Sequence, residues 1–413
     1  MVEMHIPSLI EKKRDGHALT ADEIKMLITD FTCGDVPDYQ MSAWAMAVLF
    51  RGMAPPETRY LTEAMMHSGR VFKYPKNSPP KVDGHSTGGV GDKVPLVLTP
   101  LLACDDAWVP MIADRSLGIT GGTLDKLESI PGFNVNLDDK RALKQLDKIG
   151  LFVIGQTEDI CPADKKLYAL RDVTGTVPSQ PLIAASIMSK KLAENLDRLV
   201  LDVKFGSGAF MKTNKQAEQL AAAMTEVGES MGVKTTHILS PMDEPLGHAV
   251  GNALEVAECV EILQGDGPPD LVKLIVDLSE KVSDTPRAKL EQRLKDGSAW
   301  KKFVALVYAQ DGDATALEKM AEIHRAPVIE PLRAKTAGRV KKMNADLIGR
   351  ASLLLGAGRQ KAGDQIDFAV GLSGIKKVGE HVDVDEPLLT IHARDKASLR
   401  LVRAMVQQAV AMG

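Results

Sequence analysis

Through residues 1–66 the apolar side chains recur at the i, i+3, i+4, i+7 spacing of amphipathic helices. Thr20 to Glu23 has the form of a capping box, and Ile24, Leu27, Ile28 and Phe31 follow on one predicted helix face. The run Cys33-Gly34-Asp35-Val36-Pro37 ends that helix. A second, rich in Met, Ala and Trp, is expected from Tyr39 to Phe50, and Pro55-Pro56-Glu57 opens a third that closes near Ser68-Gly69. The Met and Trp positions keep helix spacing, which points to packing rather than a cofactor groove. Tyr74 to Pro80 is Pro-rich and weakly patterned and reads as a linker or hinge.

Beyond it the pattern changes. Short apolar runs at Trp108–Ala113, Leu151–Ile154 and Leu199–Val203 alternate with glycine turns and helices, the signature of a parallel α/β sheet with ligands at the carboxyl ends of its strands. Ala163–Leu170 and Ile183–Leu199 read as helices that return to pack with the amino-terminal ones. From Ala337 onward, β-favouring segments at Gln365–Leu372 and Gly379–His392 indicate a small β-rich unit. The expected architecture is therefore an all-helical domain (1–66 and 163–196) and a larger α/β domain (80–155 and 197–336) with a mixed, mainly parallel sheet. A C-terminal α+β unit (337–413) completes it.

With 413 residues, 44% of them hydrophobic, the chain can bury a sizeable core. A net charge of −4 offers no general attraction to nucleic acid or an anionic membrane, so any anion site must be local. Cys33, Cys104, Cys161 and Cys259 form no C-x-x-C pair, no apolar run is long enough for a membrane span, and the first residues lack signal-peptide character. A cytoplasmic protein is expected.

Three stretches carry candidate chemistry. In Val82–Asp92 the glycines Gly88, Gly89 and Gly91 let the backbone present N–H groups to an anion, with His85, Ser86 and Thr87 at the entrance. The apolar run from Val94 would begin a helix whose amino end adds positive potential. A plain turn carrying a surface histidine fits the same residues. In Ala113–Lys126, Thr123 reads as a helix N-cap or an anion donor. Ser186 and Lys190 stand four apart on a predicted helix, and Arg171 heads a Val-Thr-Gly-Thr-Val loop. Together they suit a planar ligand whose carbonyl oxygens become anionic; a solvated basic face is the alternative.

Four longer motifs resemble the thymidine and pyrimidine-nucleoside phosphorylases. They are His85-Ser86-Thr87-Gly88-Gly89-Val90-Gly91-Asp92, Thr120 through Ser129, Leu170-Arg171-Asp172-Val173-Thr174 and Asp202-Val203-Lys204 with Gly206 through Met211. Pro245-Leu246-Gly247 and Gly251 through Glu255 continue the likeness. The resemblance implies an active site in a cleft between domains and a homodimer formed through the helical domain. It assigns base binding to Arg171, Ser186 and Lys190, with His85 beside the base and Tyr168, Leu117, Ile183 and Phe210 as walls. In the reaction it implies, inorganic phosphate attacks the anomeric carbon of a thymidine- or uridine-type nucleoside. The pyrimidine leaves as an anion stabilised by His85, Arg171 and Lys190.

On the phosphate side the sequence departs from that pattern. Gly84 stands where relatives carry lysine, and Pro95 and Ala113 stand where they carry serine; of that set Ser86 and Thr123 remain, Thr87 is a further candidate, and Lys93, Lys126, Arg115 or Ser116 are candidate replacements. Hence three readings follow: phosphorolysis, cleavage by water or another acceptor, and pyrimidine binding without catalysis. No organic cofactor is expected. The resemblance also implies a structural cation near Gly88, Leu246, Ala249 and the Glu258 carboxylate.

Overall fold

The computed structural model describes residues 5–115, 119, 121–359, 361 and 363–413. The chain divides into two compact units: residues 1–81, 156–199 and 218–237, and residues 82–155, 200–217 and 238–413. Among the described residues no helix is long and apolar enough to cross a membrane.

The first unit is helical. The Thr20 hydroxyl accepts from Glu23 N at 3.3 Å while Glu23 Oε2 accepts from Thr20 N at 2.7 Å, so helix Ala21–Cys33 begins with the expected capping box. It ends at Gly34, whose φ of 96° only glycine adopts without strain. Ile24, Leu27, Ile28 and Phe31 are its buried stripe. Helices Asp38–Arg51 and Pro55–Met66 follow, and Trp44, Val48, Leu61 and Met65 join the same core. So do Ala163 and Leu167 of helix Pro162–Thr174 and Leu182 and Ala185 of helix Gln180–Ala193. Distant stretches of sequence thus share one apolar interior. The segment before Lys81 has no helix or strand, but Phe72 N donates to Ala193 O and the Tyr74 hydroxyl to Glu194 O, at 2.9 and 2.8 Å.

Most of the sheet residues belong to the second unit, although strands Arg198–Phe205 and Lys234–Pro241 begin in segments of the first. Val82–Ser86, Arg198–Phe205 and Lys234–Pro241 form one sheet in that order, and Val109–Ala113 pairs in parallel with Leu151–Gly155. Val82–Ser86 and Lys234–Pro241 add strands to the candidates read from the sequence. Helices Val94–Leu102, Asn252–Leu263 and Pro269–Val282 contribute to its main core. At the carboxyl end, Val328–Arg333 and Gly371–Ser373 flank Pro387–Ala393, both antiparallel to it. Gly338–Met343 pairs antiparallel with Val410–Met412 and His381–Val382. The first of these strands begins upstream of Ala337, where the local pattern had marked the start of the β-rich unit. Helices Ala345–Ser352 and Lys396–Ala409 close over a shared apolar cluster.

Candidate active site

Helix Pro162–Thr174 starts with proline, which needs no N–H there, and stops at Gly175 with φ 71°. Asp164, Tyr168 and Arg171 recur at four and three residues and so share one stripe. Arg171 therefore lies within the helix, not at the head of the following loop as its sequence context indicated. It is 1% exposed, and its guanidinium donates to the carbonyls of Val177 at 2.8 Å, Leu182 at 3.1 Å and Thr176 at 3.5 Å. Its carbon lies 5.8 Å from the Tyr168 ring centroid. Burial lowers its pKa to about 10, opposed by the nearby Asp164 carboxylate.

On helix Gln180–Ala193, Ser186 and Lys190 are both buried one turn apart. Lys190 Nζ lies 3.1 Å from Asp164 Oδ2. Lys190 thus pairs across to the helix that carries Arg171, whose charge the same Asp164 carboxylate supports, and neither cation forms part of a solvated face. Lys191, one position on, pairs instead with Glu194 at 2.7 Å. Ile183 and Tyr168 are half-buried in the same unit, whereas His85 and Phe210 belong to the second unit. Leu117, Ser116 and Thr120 lie outside the described residues. Asp164 was not anticipated.

In the second unit the glycine loop grows out of strand Val82–Ser86. Its chain reversals use Gly88 and Gly91, with φ of 88° and 76°. The Ser86 hydroxyl donates to Asp92 Oδ2 at 2.5 Å and accepts from Gly88 N at 3.1 Å. Thr87 N donates to Asp202 O at 3.0 Å, and its hydroxyl accepts from Lys204 N at 2.9 Å. Lys204 Nζ lies 2.5 Å from Asp202 and 3.6 Å from Asp92, all buried. Burial pushes the Asp92 carboxyl up, but Lys204 and Lys126 more than offset this and hold it below its ordinary value. Burial dominates at Asp202, which is raised. Asp202 and Lys204 are two apart on strand Arg198–Phe205 and so share a face, a signal the sequence contained.

The cationic anion-donor candidates are engaged elsewhere. Lys126 is fully buried; its ammonium donates to Asp92 O and Gly121 O and pairs with Glu255 at 3.0 Å. Arg115 pairs with Glu128, and its guanidinium also lies 3.3 Å from Asp125. Thr123 is the first residue of the short helix Thr123–Glu128, and Gly122 holds the N-cap position without a side-chain cap. The capping reading of Thr123 is therefore corrected: its backbone is already helical. Lys93 precedes helix Val94–Leu102 as its N-cap residue, yet its side chain is completely buried. Its ammonium donates to Leu246 O at 3.1 Å, Ala249 O at 2.9 Å and the Glu258 carboxylate. Three of the four residues expected to hold a cation thus surround a lysine, which corrects Lys93 as an anion donor and leaves its nitrogen where the ion was expected.

The depleted positions have a steric setting. A Cβ on Gly84 would come within 2.5 Å of the Leu98 side-chain tip and 3.3 Å of Val200, so a side chain there requires Leu98 to move. Pro95 sits in the first turn of its helix, where its missing N–H is tolerated, and Ala113 ends a fully buried strand.

Comparison with known proteins follows the chain in order. Residues 7–69 match the glycosyl transferase family helical bundle domain, 78–282 the glycosyl transferase family a/b domain, and 339–413 the pyrimidine nucleoside phosphorylase C-terminal domain. The pyrimidine-nucleoside phosphorylase of Geobacillus stearothermophilus is 50% identical over 399 residues, spanning 94% of this chain and 92% of its own length. The chain belongs to the pyrimidine-nucleoside phosphorylase family. The Bacillus subtilis member is 47% identical over the same shares of both chains. Anthranilate phosphoribosyltransferase (TrpD) from Thermus thermophilus is 16% identical with a TM-score of 0.61 over 73% of this chain and 98% of its own, and shares the fold.

Proposed function

We propose that the protein catalyses phosphorolysis of a pyrimidine nucleoside of the thymidine or uridine type, releasing free base and (deoxy)ribose 1-phosphate. The observation that carries this reading is the burial of Arg171 and Lys190 on two adjoining helices, with Lys190 paired to Asp164 and the buried Ser186 one turn before it. Fixed cations in a water-poor setting favour the state in which charge has moved onto the base. In the reaction a phosphate oxygen bonds to the anomeric carbon while the C–N bond breaks, its electron pair leaving with the pyrimidine. Arg171, Lys190 and His85 stabilise that anion, which is then protonated. Tyr168, Ile183, Leu117 and Phe210 bound the ring; Ser86, Thr87 and Thr123 contribute what remains of the phosphate donors. The homodimer implied by the resemblance is supported by Tyr39 and Phe50, exposed at 73% and 79% and three turns apart on one face of helix Asp38–Arg51.

One observation favours a second reading. The Ser86 hydroxyl donates to Asp92, and Lys93, Lys126 and Arg115 are paired within the protein, while Gly84, Pro95 and Ala113 supply none of the side-chain donors that the resemblance implies. Losing hydrogen bonds to a charged group costs about 1.5–3 kcal/mol each. Attack by water or another acceptor, with the same base chemistry, is the alternative. Release of uracil and thymine from uridine and thymidine, followed with and without inorganic phosphate, separates the two. Sugar 1-phosphate formed only with phosphate supports phosphorolysis; base release at the same rate without it supports the alternative; absence of release under both conditions sinks both.

A further inference from the structure

The Lys93 side chain ends in a cage. Its ammonium meets two backbone carbonyls, Leu246 O at 3.1 Å and Ala249 O at 2.9 Å, and the Glu258 carboxylate, with no exposure to solvent. Two glycines keep the cage open to the nitrogen. A Cβ on Gly91 would stand 2.6 Å from Leu246 O, and one on Gly247 would stand 2.5 Å from Glu258 Oε2 and 3.0 Å from Lys93 Nζ. Both have positive φ, 76° and 70°. The second Glu258 oxygen accepts from His248 N at 2.6 Å, so the carboxylate is oriented from both sides. Burial lowers the Lys93 pKa, but the Glu258 and Glu255 carboxylates more than offset it and hold it above its ordinary value. The donor set, carbonyl oxygens and one carboxylate, is the hard-oxygen chemistry of an alkali or alkaline-earth ion. A second cation does not fit: bonded to the same oxygens it would overlap the ammonium, and like charges at contact in a buried site repel strongly.

We propose that Lys93 is a covalently tethered substitute for a bound monovalent cation, joining the glycine loop to the 245–251 loop and helix Asn252–Leu263 without an ion from solution. An ammonium nitrogen and a potassium ion hold oxygen donors at similar distances, so truncating the lysine converts the cage into an ion site. Stability then depends on the salt. The test compares melting temperatures in potassium, ammonium, sodium and tetramethylammonium chloride at equal ionic strength. The native protein is expected to melt at the same temperature in all four. Lys93→Ala is expected to melt lower in tetramethylammonium and to recover in a saturable way with potassium or ammonium. Lys93→Met, which fills the cage without charge, is expected to melt lower and not recover. A potassium-specific rise in the native protein overturns the proposal, as does a Lys93→Ala variant equally stable in all four salts. If that variant does not fold, rubidium-soaked crystals of the native protein decide. Anomalous density between Leu246 O, Ala249 O and Glu258 overturns the proposal, and density confined to other places upholds it.

Discussion

Arg171 shows how much a single side chain is asked to hold. Its guanidinium already binds three carbonyls of the 176–182 turn, so it both shapes that turn and keeps its charge beside Asp164. Arg171→Lys retains the charge but loses the planar fork, and one ammonium cannot span the three carbonyls. The expected outcome is a fall in kcat/KM of roughly 10²–10³-fold, together with faster amide hydrogen exchange across residues 175–182. Unchanged exchange would show that the turn does not depend on the fork. The grouping of Arg171, Ser186 and Lys190 was legible because helix spacing places Ser186 and Lys190 one turn apart. Asp164 was not. An acid in the first turn of a helix reads as a partner of the helix dipole, and its real partner, Lys190, stands on another helix. Lys93 was misread for a related reason: a lysine beside a glycine loop looks like an anion donor until the distant carbonyls at 246 and 249 are brought to it.

At the scale of elements, local signals located helices better than strands. The Thr20–Glu23 capping box and Gly34 state both ends of their helix in adjacent residues. Strand Val82–Ser86 carries Asp83, Gly84, His85 and Ser86, weak strand formers, and owes its conformation to pairing beside the apolar Arg198–Phe205. The Val328–Arg333 strand was likewise defined by a partner some sixty residues later, Pro387–Ala393. The 244–249 loop depends on a distant clamp too. Lys377 Nζ lies 2.9 Å from Asp270, whose carboxylate accepts from Gly247 N at 3.2 Å and from Leu271 N at 2.9 Å. Burial raises the Asp270 carboxyl, but Lys377 and those N–H groups prevail and hold it below 3.8. A carboxyl depressed on folding adds stability that is present above its unfolded value, near 3.8, and lost as pH falls through its folded value. Asp270→Asn is therefore expected to cost about 1 kcal/mol near neutrality, allowing for solvent screening of a carboxylate about one-third exposed. In urea titrations the gap between native and variant should close below pH 3.8. A gap that stays constant with pH would assign the loss to geometry rather than charge.

For the whole molecule, the helical unit has an apolar core around Trp44 and Phe31, while the second unit has one around the sheet residues Val109, Val153 and Val200 and another beneath helices Ala345–Ser352 and Lys396–Ala409. The fold class was legible because the period of the apolar pattern changes after the Pro-rich segment, from helix spacing to short runs punctuated by glycine. The return of helices Pro162–Thr174 and Gln180–Ala193 to the first core was visible only as a second block of helix spacing. Separate cores allow the units to open with different free energies, which a substitution in one of them can reveal. Glu57 is 2% exposed and accepts from Lys13 Nζ, Leu19 N and Ala54 N, each at 2.8 Å, tying three segments of the helical unit together. Glu57→Ala leaves the Lys13 ammonium buried without that carboxylate, a loss of roughly 3–5 kcal/mol. Native-state hydrogen exchange should then accelerate in helices Ala21–Cys33 and Asp38–Arg51 far more than in helix Val94–Leu102 of the other unit. In a Trp108→Phe, Trp300→Phe background the fluorescence of Trp44, buried in the helical core, should report the lowered denaturant midpoint. Equal acceleration in all three helices would mean that the chain crossings bind the units into one cooperative transition, and the separate cores would then be a feature of packing but not of unfolding.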